Sequence, residues 1–245
     1  MDYLLICLFI FLTAYAINIT YVSIFYHRGF THSAIQLSPW LQTFVLKSGF
    51  WITGIDPKAW SCMHRLHHQH SDTAKDPHSP VVYGLFGVAK AQLDGYTRCL
   101  KGLIIGHSKY ETVVRDLDFP ISKPNQNQLW YLAYVVHAVI ALIIVVSGFW
   151  LAALAYFLGI MSHPIQGWAV NALAHRFGYR NFDLPDNSKN NLLVAWTVLG
   201  EGYQNNHHKF PQNYSFAHRW WEFDPGAFIC RLGDSLGLWK ILKHS

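Results

Sequence analysis

His64-Arg65-Leu66-His67-His68 sets three imidazoles at i, i+3 and i+4, a spacing that presents all three to one face of a helix. Gln204-Asn205-Asn206-His207-His208 repeats that stencil with glutamine at its head, and His27-Arg28-Gly29-Phe30-Thr31-His32 supplies a further cluster. One such box fits a surface patch of histidines or an internally satisfied one; two boxes far apart in one chain point to a metal site. His27 and His32 lie five apart and share no face of an α-helix, but Gly29 can break the helix and let His32 fold back toward the same centre. Asn171 and His175 form another i, i+4 pair. For Asn171, an interhelical hydrogen bond stands beside metal ligation, direct or through water.

The candidate imidazoles are His27, His32, His64, His67, His68, His175, His207 and His208. They exceed the four ligands that close a tetrahedral zinc site, so they imply two ions. Imidazole suits Fe, Zn, Cu and Ni alike and does not choose among them. The chain has no Glu-x-x-His pair, which excludes the carboxylate-bridged di-iron bundle, and no His-Glu-x-x-His, which excludes the commonest zinc protease motif.

Composition places these residues beside a membrane. The 245 residues are 51% hydrophobic and 13% charged, against roughly 25% charged in soluble domains. Histidines (15) outnumber Asp plus Glu (14), so imidazole is the main metal-binding group. The basic surplus of five forms no run of the nucleic-acid-binding kind and reads as membrane orientation; no nucleic-acid partner is expected. Cys7, Cys62, Cys99 and Cys230 are scattered and read as reduced, inert residues.

The expected class is an all-α integral membrane domain, single over 1–245, with no internal repeat. Spans are predicted at about 3–26, 129–147 and 149–171. The first lacks a cleavage signature and is read as retained. The segment 40–55 carries Lys47 and is interrupted by Gly49, Gly54 and Pro57, so it is predicted to lie in the interface or re-enter. Three crossings leave every histidine cluster on one side. The Lys and Arg residues concentrated in 64–128 and 176–245 make that side a cytoplasmic cap.

Around these residues the sequence resembles the membrane fatty-acid desaturase family, most closely its acyl-CoA Δ9 branch and bacterial relatives of that branch. The resemblance rests on His27-Arg28 with His32, on His64-Arg-Leu-His-His through Asp76-Pro-His, on Asn171-Ala-Leu-Ala-His175-Arg-Phe-Gly-Tyr, and on Gly200-Glu-Gly-Tyr-Gln-Asn-Asn-His-His-Lys-Phe-Pro211. It covers nearly the whole chain. It implies a transmembrane stem under a cytosolic cap, two irons held by the eight histidines with Asn171 joining through water, and O2-dependent removal of two hydrogens from adjacent methylenes of an acyl chain. It also implies a multi-pass protein of the bacterial inner membrane. Two departures stand out: the Δ9 branch has four spans where this chain offers three, and a histidine where this chain has Gln204. That glutamine either coordinates through its side-chain oxygen or leaves one iron a ligand short.

The substrate implied is a fatty acyl group on coenzyme A, a carrier protein or a phospholipid. No fused haem domain, four-cysteine pattern or G-x-G-x-x-G turn occurs, so electrons must come from a separate carrier such as a cytochrome b5-like or ferredoxin-type protein. Tyr15, Ile19, Trp60, Trp168, Phe177 and Tyr203 are the expected lining of an acyl tunnel, with Tyr15 and Ile19 at its floor. Asp72, Asp76 and Glu201 either hydrogen-bond ligand histidines or, for the two aspartates, merely cap a turn before Pro77. Box spacing does not separate a desaturase from a hydroxylase or an aldehyde- or acyl-processing oxygenase on the same cage. A membrane zinc hydrolase is the rival from another class.

Overall fold

The computed structural model describes residues 2–242. Residues 1 and 243–245, included in the single-domain expectation, lie outside the described residues. Helix α1 (Tyr3–Ile19) starts at Asp2, whose carboxylate accepts from the Leu4 N–H (3.2 Å). It runs on into a π-helical segment, Thr20–Thr31, and Tyr3–Thr31 is the one helix among the described residues long and apolar enough to cross a membrane.

A short strand β1 (Ile35–Leu37) leads to α2 (Pro39–Thr53) and α3 (Pro57–His70), each started by a proline in its first turn. The cap continues through α4 (Pro80–Ile104), α5 (Ser108–Val113) and α6 (Lys123–Gln126). An apolar hairpin follows, α7 (Leu132–Val146) and α8 (Trp150–Ile160), then α9 (His163–Trp168) and a second π segment, Ala169–Leu173. The chain closes with α10 (Leu192–Thr197), α11 (Gln204–Lys209), α12 (Pro225–Ser235) and strand β2 (Trp239–Ile241). β2 pairs antiparallel with β1, Gln36 opposite Lys240, so the fold is mostly helical with one two-stranded ribbon that an all-α expectation omits. Three-residue strands are too short for an alternating pattern to declare itself.

The predicted spans fit the helices unevenly. The first continues past residue 26 to Thr31. The apolar run 149–171 is not one helix: it breaks after Ile160, and Pro164 cannot donate a backbone bond across the break. Asn18 Nδ2 donates to the freed Ile160 carbonyl (2.7 Å) and Ser162 Oγ to that of Gly159 (2.7 Å), so the interruption is paid in side-chain hydrogen bonds. Gly159 also lets α8 meet α1 closely, since a Cβ there would lie 2.7 Å from the Phe11 carbonyl oxygen. In α2, Gly49 does not interrupt the helix; it makes room for the Tyr26 ring, and the helix ends at Gly54 in the left-handed conformation (φ 70°).

The main core lies where the π segment, α2 and α3 meet. Ile24, Tyr26 and Val45 are fully buried there, and each aliphatic side chain so buried stabilises by roughly 1.5–3 kcal/mol. The four cysteines are buried and free. Outward faces of α1, α7 and α8 expose large apolar side chains, among them Phe9, Leu12, Leu142, Ile143 and Leu154.

Candidate metal centre

The π register explains how His27 and His32 meet. The His32 N–H bonds to the His27 carbonyl (3.1 Å), an i→i+5 step that turns residues five apart toward one side, and their ring centroids lie 4.8 Å apart. Gly29 therefore does not end the helix; the helix changes register around it.

Along α3, successive residues turn by about 100° around the axis. His64 and His68 consequently face the first histidines, while His67, adjacent to His68, faces away. His27 Nε2 lies 2.9 Å from His64 Nε2 and 3.1 Å from His207 Nε2, and His68 Nε2 lies 3.0 and 2.9 Å from the same two atoms. With His32 these residues form one cluster. His67, His175 and His208 form a second. The expected single site for each box is thus corrected: His64 and His68 against His67, and His207 against His208, fall in different clusters, because neighbours on a helix cannot point the same way.

Carboxylates fix the rings. His27 Nδ1 lies 2.7 Å from Glu201 Oε2; His67 Nδ1 is 2.9 Å from Asp76 Oδ2, His175 Nδ1 3.1 Å from Asp72 Oδ2, and His208 Nδ1 2.9 Å from Asp186 Oδ2. An ionised carboxylate only accepts, so the proton sits on Nδ1 and Nε2 presents its lone pair inward. Burial pushes the Asp72, Asp76 and Asp186 carboxyls up, but bonds from the paired imidazoles and nearby hydroxyl or amide donors outweigh it and hold all three below the usual carboxylate range. Burial likewise raises Glu201, and the neighbouring His27 and Arg28 charges bring it below its ordinary value. Burial drives His32, His64, His68 and His207 well below the usual imidazole value and His208 to about 4, which leaves them neutral at pH 7, the ligating form.

The donor set fits metal. The buried Nε2 atoms of His32, His67, His175 and His208 have no hydrogen-bond partner, an arrangement that costs free energy unless a cation takes the lone pairs. In the first cluster, Nε2 atoms face one another at 2.9–3.1 Å. Two nitrogens each about 2.1 Å from one ion and at right angles stand about 3.0 Å apart.

The remaining candidates scatter. Gln204 is buried; its Nε2 donates to the Glu201 carbonyl (2.8 Å) and its Oε1 is unpartnered. Asn171 donates to Gln92 Oε1 (2.7 Å) and to the Gly167 carbonyl (3.0 Å), a bond between elements. Trp60 stacks flat on His64, centroids 5.1 Å apart and planes 5° apart. Ile19 packs with Val170, Val194 and Val198, and Tyr15 donates from its hydroxyl to the Thr197 carbonyl (2.5 Å). Trp168 Nε1 donates to the Leu85 carbonyl, Tyr203 is buried against Ala195 and Phe216, and Phe177 is half exposed.

A family model described as fatty acid desaturase matches residues 3–227. The chain belongs to the fatty acid desaturase family. This desaturase-family chain is similar to an acyl-CoA 5-desaturase of Anemone leveillei, 30% identical over 93% of this chain and 68% of the relative. It is similar to an sn-1 stearoyl-lipid 9-desaturase of Anabaena variabilis (31%; 89% and 76%) and to a hex-5-enoyl acyl-carrier-protein acetylenase of Moorena producens (29%; 93% and 74%). It is accordingly an oxidoreductase of a membrane-associated family whose members generally use two irons.

Sequence reasoning missed three participants. Asp186 pairs with His208 across 22 positions from a turn that carries no motif. His78, fully buried with neither ring nitrogen partnered, stacks on His67 at 4.6 Å; its signal was the Asp76-Pro-His run, in which only Asp76 drew a role. Arg28 stood in the first cluster without a function. It is completely buried, donates to Glu201 Oε1 (2.8 Å) and Asp224 Oδ2 (3.2 Å), and lies 4.0 Å over the Phe216 ring. Gly200 belongs to the same knot: at φ +87° its missing Cβ leaves space that Asp224 Oδ1 occupies.

Proposed function

We propose that this chain is an O2-dependent acyl desaturase that introduces a cis double bond into a long acyl chain, Δ9-like in position. In this reading His27, His32, His64, His68 and His207 hold one iron and His67, His175 and His208 the other, with Gln204 Oε1 and a water on Asn171 completing the second. The observation that carries it is the pair of buried imidazole clusters, with Glu201 beside His27 in the first and an aspartate behind each ring of the second. Bound iron supplies the oxygen activation that no side chain can perform. The protein's part is to hold the imidazole lone pairs toward the centre, keep water away and align one methylene pair.

The apolar belt of α1, α7 and α8 supports a membrane stem of about three crossings as one domain over 1–245, with 40–55 in the interface and the clusters on the cytoplasmic side. Trp60, Trp168, Phe177 and Tyr203 line the acyl path in this reading, and Tyr15 with Ile19 closes its end. The acyl carrier is coenzyme A, a carrier protein or a phospholipid, and a separate cytochrome b5-like or ferredoxin-type protein delivers electrons.

Expression in a host lacking unsaturated lipids, with mass-spectrometric mapping of double bonds, is the decisive experiment. A cis-9 monoene is expected; hydroxylated chains would move the reading to a hydroxylase, and one zinc per chain without O2 consumption would end it. Tyr15→Ala should lengthen the preferred chain by about two carbons, and an unchanged profile would remove Tyr15 from the end of the path.

A further inference from the structure

The two clusters sit in unlike charge. Around the first, five imidazoles share one carboxylate, Glu201, whose second oxygen accepts from Arg28 Nη1 (2.8 Å) and also from the Ser23 hydroxyl. Arg28 lies between Glu201 and Asp224, with its remaining donors on the Ser23, Leu199 and Tyr214 carbonyls. One cation between two carboxylates leaves a single net negative charge behind His27.

The second cluster has three imidazoles and three aspartates, one behind each ring. Their other partners are neutral: Asp72 accepts from the Ser79 hydroxyl and the Asn187 N–H, Asp76 from the Asp72 and His78 N–H groups, Asp186 from Ser188. Among the described residues no Lys or Arg bonds to any of the three, and the nearby Lys189 instead donates to the Arg176 carbonyl (2.9 Å). Uncancelled charge near a low-dielectric site stabilises added positive charge, and an imidazole that donates to a carboxylate becomes a stronger electron donor.

We propose that Asp72, Asp76 and Asp186 act as a set that gives the second cluster the lower reduction potential, while at the first cluster Arg28 offsets one of the two carboxylate charges of Glu201 and Asp224. The inference rests on the di-iron reading above. In the one-electron-reduced protein the ferrous ion then belongs to the five-imidazole cluster and the ferric ion to the three-aspartate cluster. The aspartates are positioning residues: they act through the rings and not on substrate.

The test is a dithionite titration of purified, iron-loaded protein in detergent, followed by Mössbauer and electron paramagnetic resonance spectroscopy. Iron is counted first. Two irons per chain and two separated one-electron waves are expected. Asp186→Asn keeps an oxygen acceptor for His208 Nδ1 and removes one charge. It should raise the lower wave by at least tenfold in the one-electron equilibrium, about 59 mV, and leave the upper wave in place. Asp116→Asn, at the surface partner of Arg65, should move neither. Two irons with coincident waves, or a shift of the upper wave only, would refute the asymmetry alone. Fewer than two irons in the unmodified protein would refute the di-iron reading and this inference with it.

Discussion

The first cluster gathers five imidazoles with one carboxylate, Glu201, that shares the Arg28 cation with Asp224, whereas the second gathers three imidazoles and backs each with its own aspartate. The first is rich in ligands and poor in surrounding charge; the second is the reverse. The same two boxes build both, since α3 and α11 each send residues to either side. A ligand count read from sequence is therefore a poor guide to how alike two sites are. What separates them is the carboxylates behind the rings, supplied from outside the boxes, with Asp76 nine positions from its ring and Asp72 as many as 103 from its own.

The sharpest attack on that contrast is to delete one ligand from each side. His64→Ala and His67→Ala should each abolish product formation, with iron falling toward one per chain and a different iron retained in each case. If both variants lost all iron, the clusters would be a single cooperative unit. Next in size is stability. Arg28→Met leaves Glu201 and Asp224 buried without their cation and should cost about 3–5 kcal/mol, read as a lower melting temperature in detergent. Asp76→Asn, which keeps an acceptor for His67, should cost much less. Equal losses would mean that the cation is not what distinguishes the first cluster.

Asp76→Asn and Asp186→Asn should instead weaken metal retention or turnover by about 10–100-fold, measured by chelator competition. Unchanged metal content and turnover in either would remove that aspartate from the second cluster's support. The smallest effect is on pH. Unfolded imidazole takes up a proton near 6.5, while the folded His208 waits until about 4 and His32, His64, His68 and His207 also lie well below the ordinary value. Between those limits the unfolded state binds more protons, so metal-free protein should lose stability as pH falls from about 6.5 toward 4 and be insensitive above 7. Four of these five rings belong to the first cluster, so replacing them with glutamine should flatten the slope more than replacing His208; a flat profile in the unmodified protein would break the argument.

Much of this was legible in the residues. The eight histidines advertise themselves by spacing, and Asp72, Asp76 and Glu201 by their nearness in sequence to the boxes; the structure pairs each of the three with an imidazole. Asp76 also accepts the His78 N–H (3.0 Å), so the turn-capping role and the histidine-holding role are filled by one side chain. The helical class and the apolar stretches were readable from composition. The π register was not, because no residue pattern announces where i→i+5 bonds replace i→i+4, and His27 and His32 looked mismatched for that reason. The break after Ile160 was hidden because its repair depends on Asn18, on a different helix. Asp186 was invisible because only tertiary folding brings its turn to α11.

The straddling boxes have a mechanical consequence. His67–His68 and His207–His208 are bonded neighbours, whose Cα atoms are held about 3.8 Å apart by planar peptide units. Each pair places one foot in either cluster, so the spacing between clusters is gauged by two covalent rulers rather than by how tightly helices happen to pack. Bending of the bilayer or loosening of the cap can carry the whole centre along, but it cannot easily stretch one half away from the other.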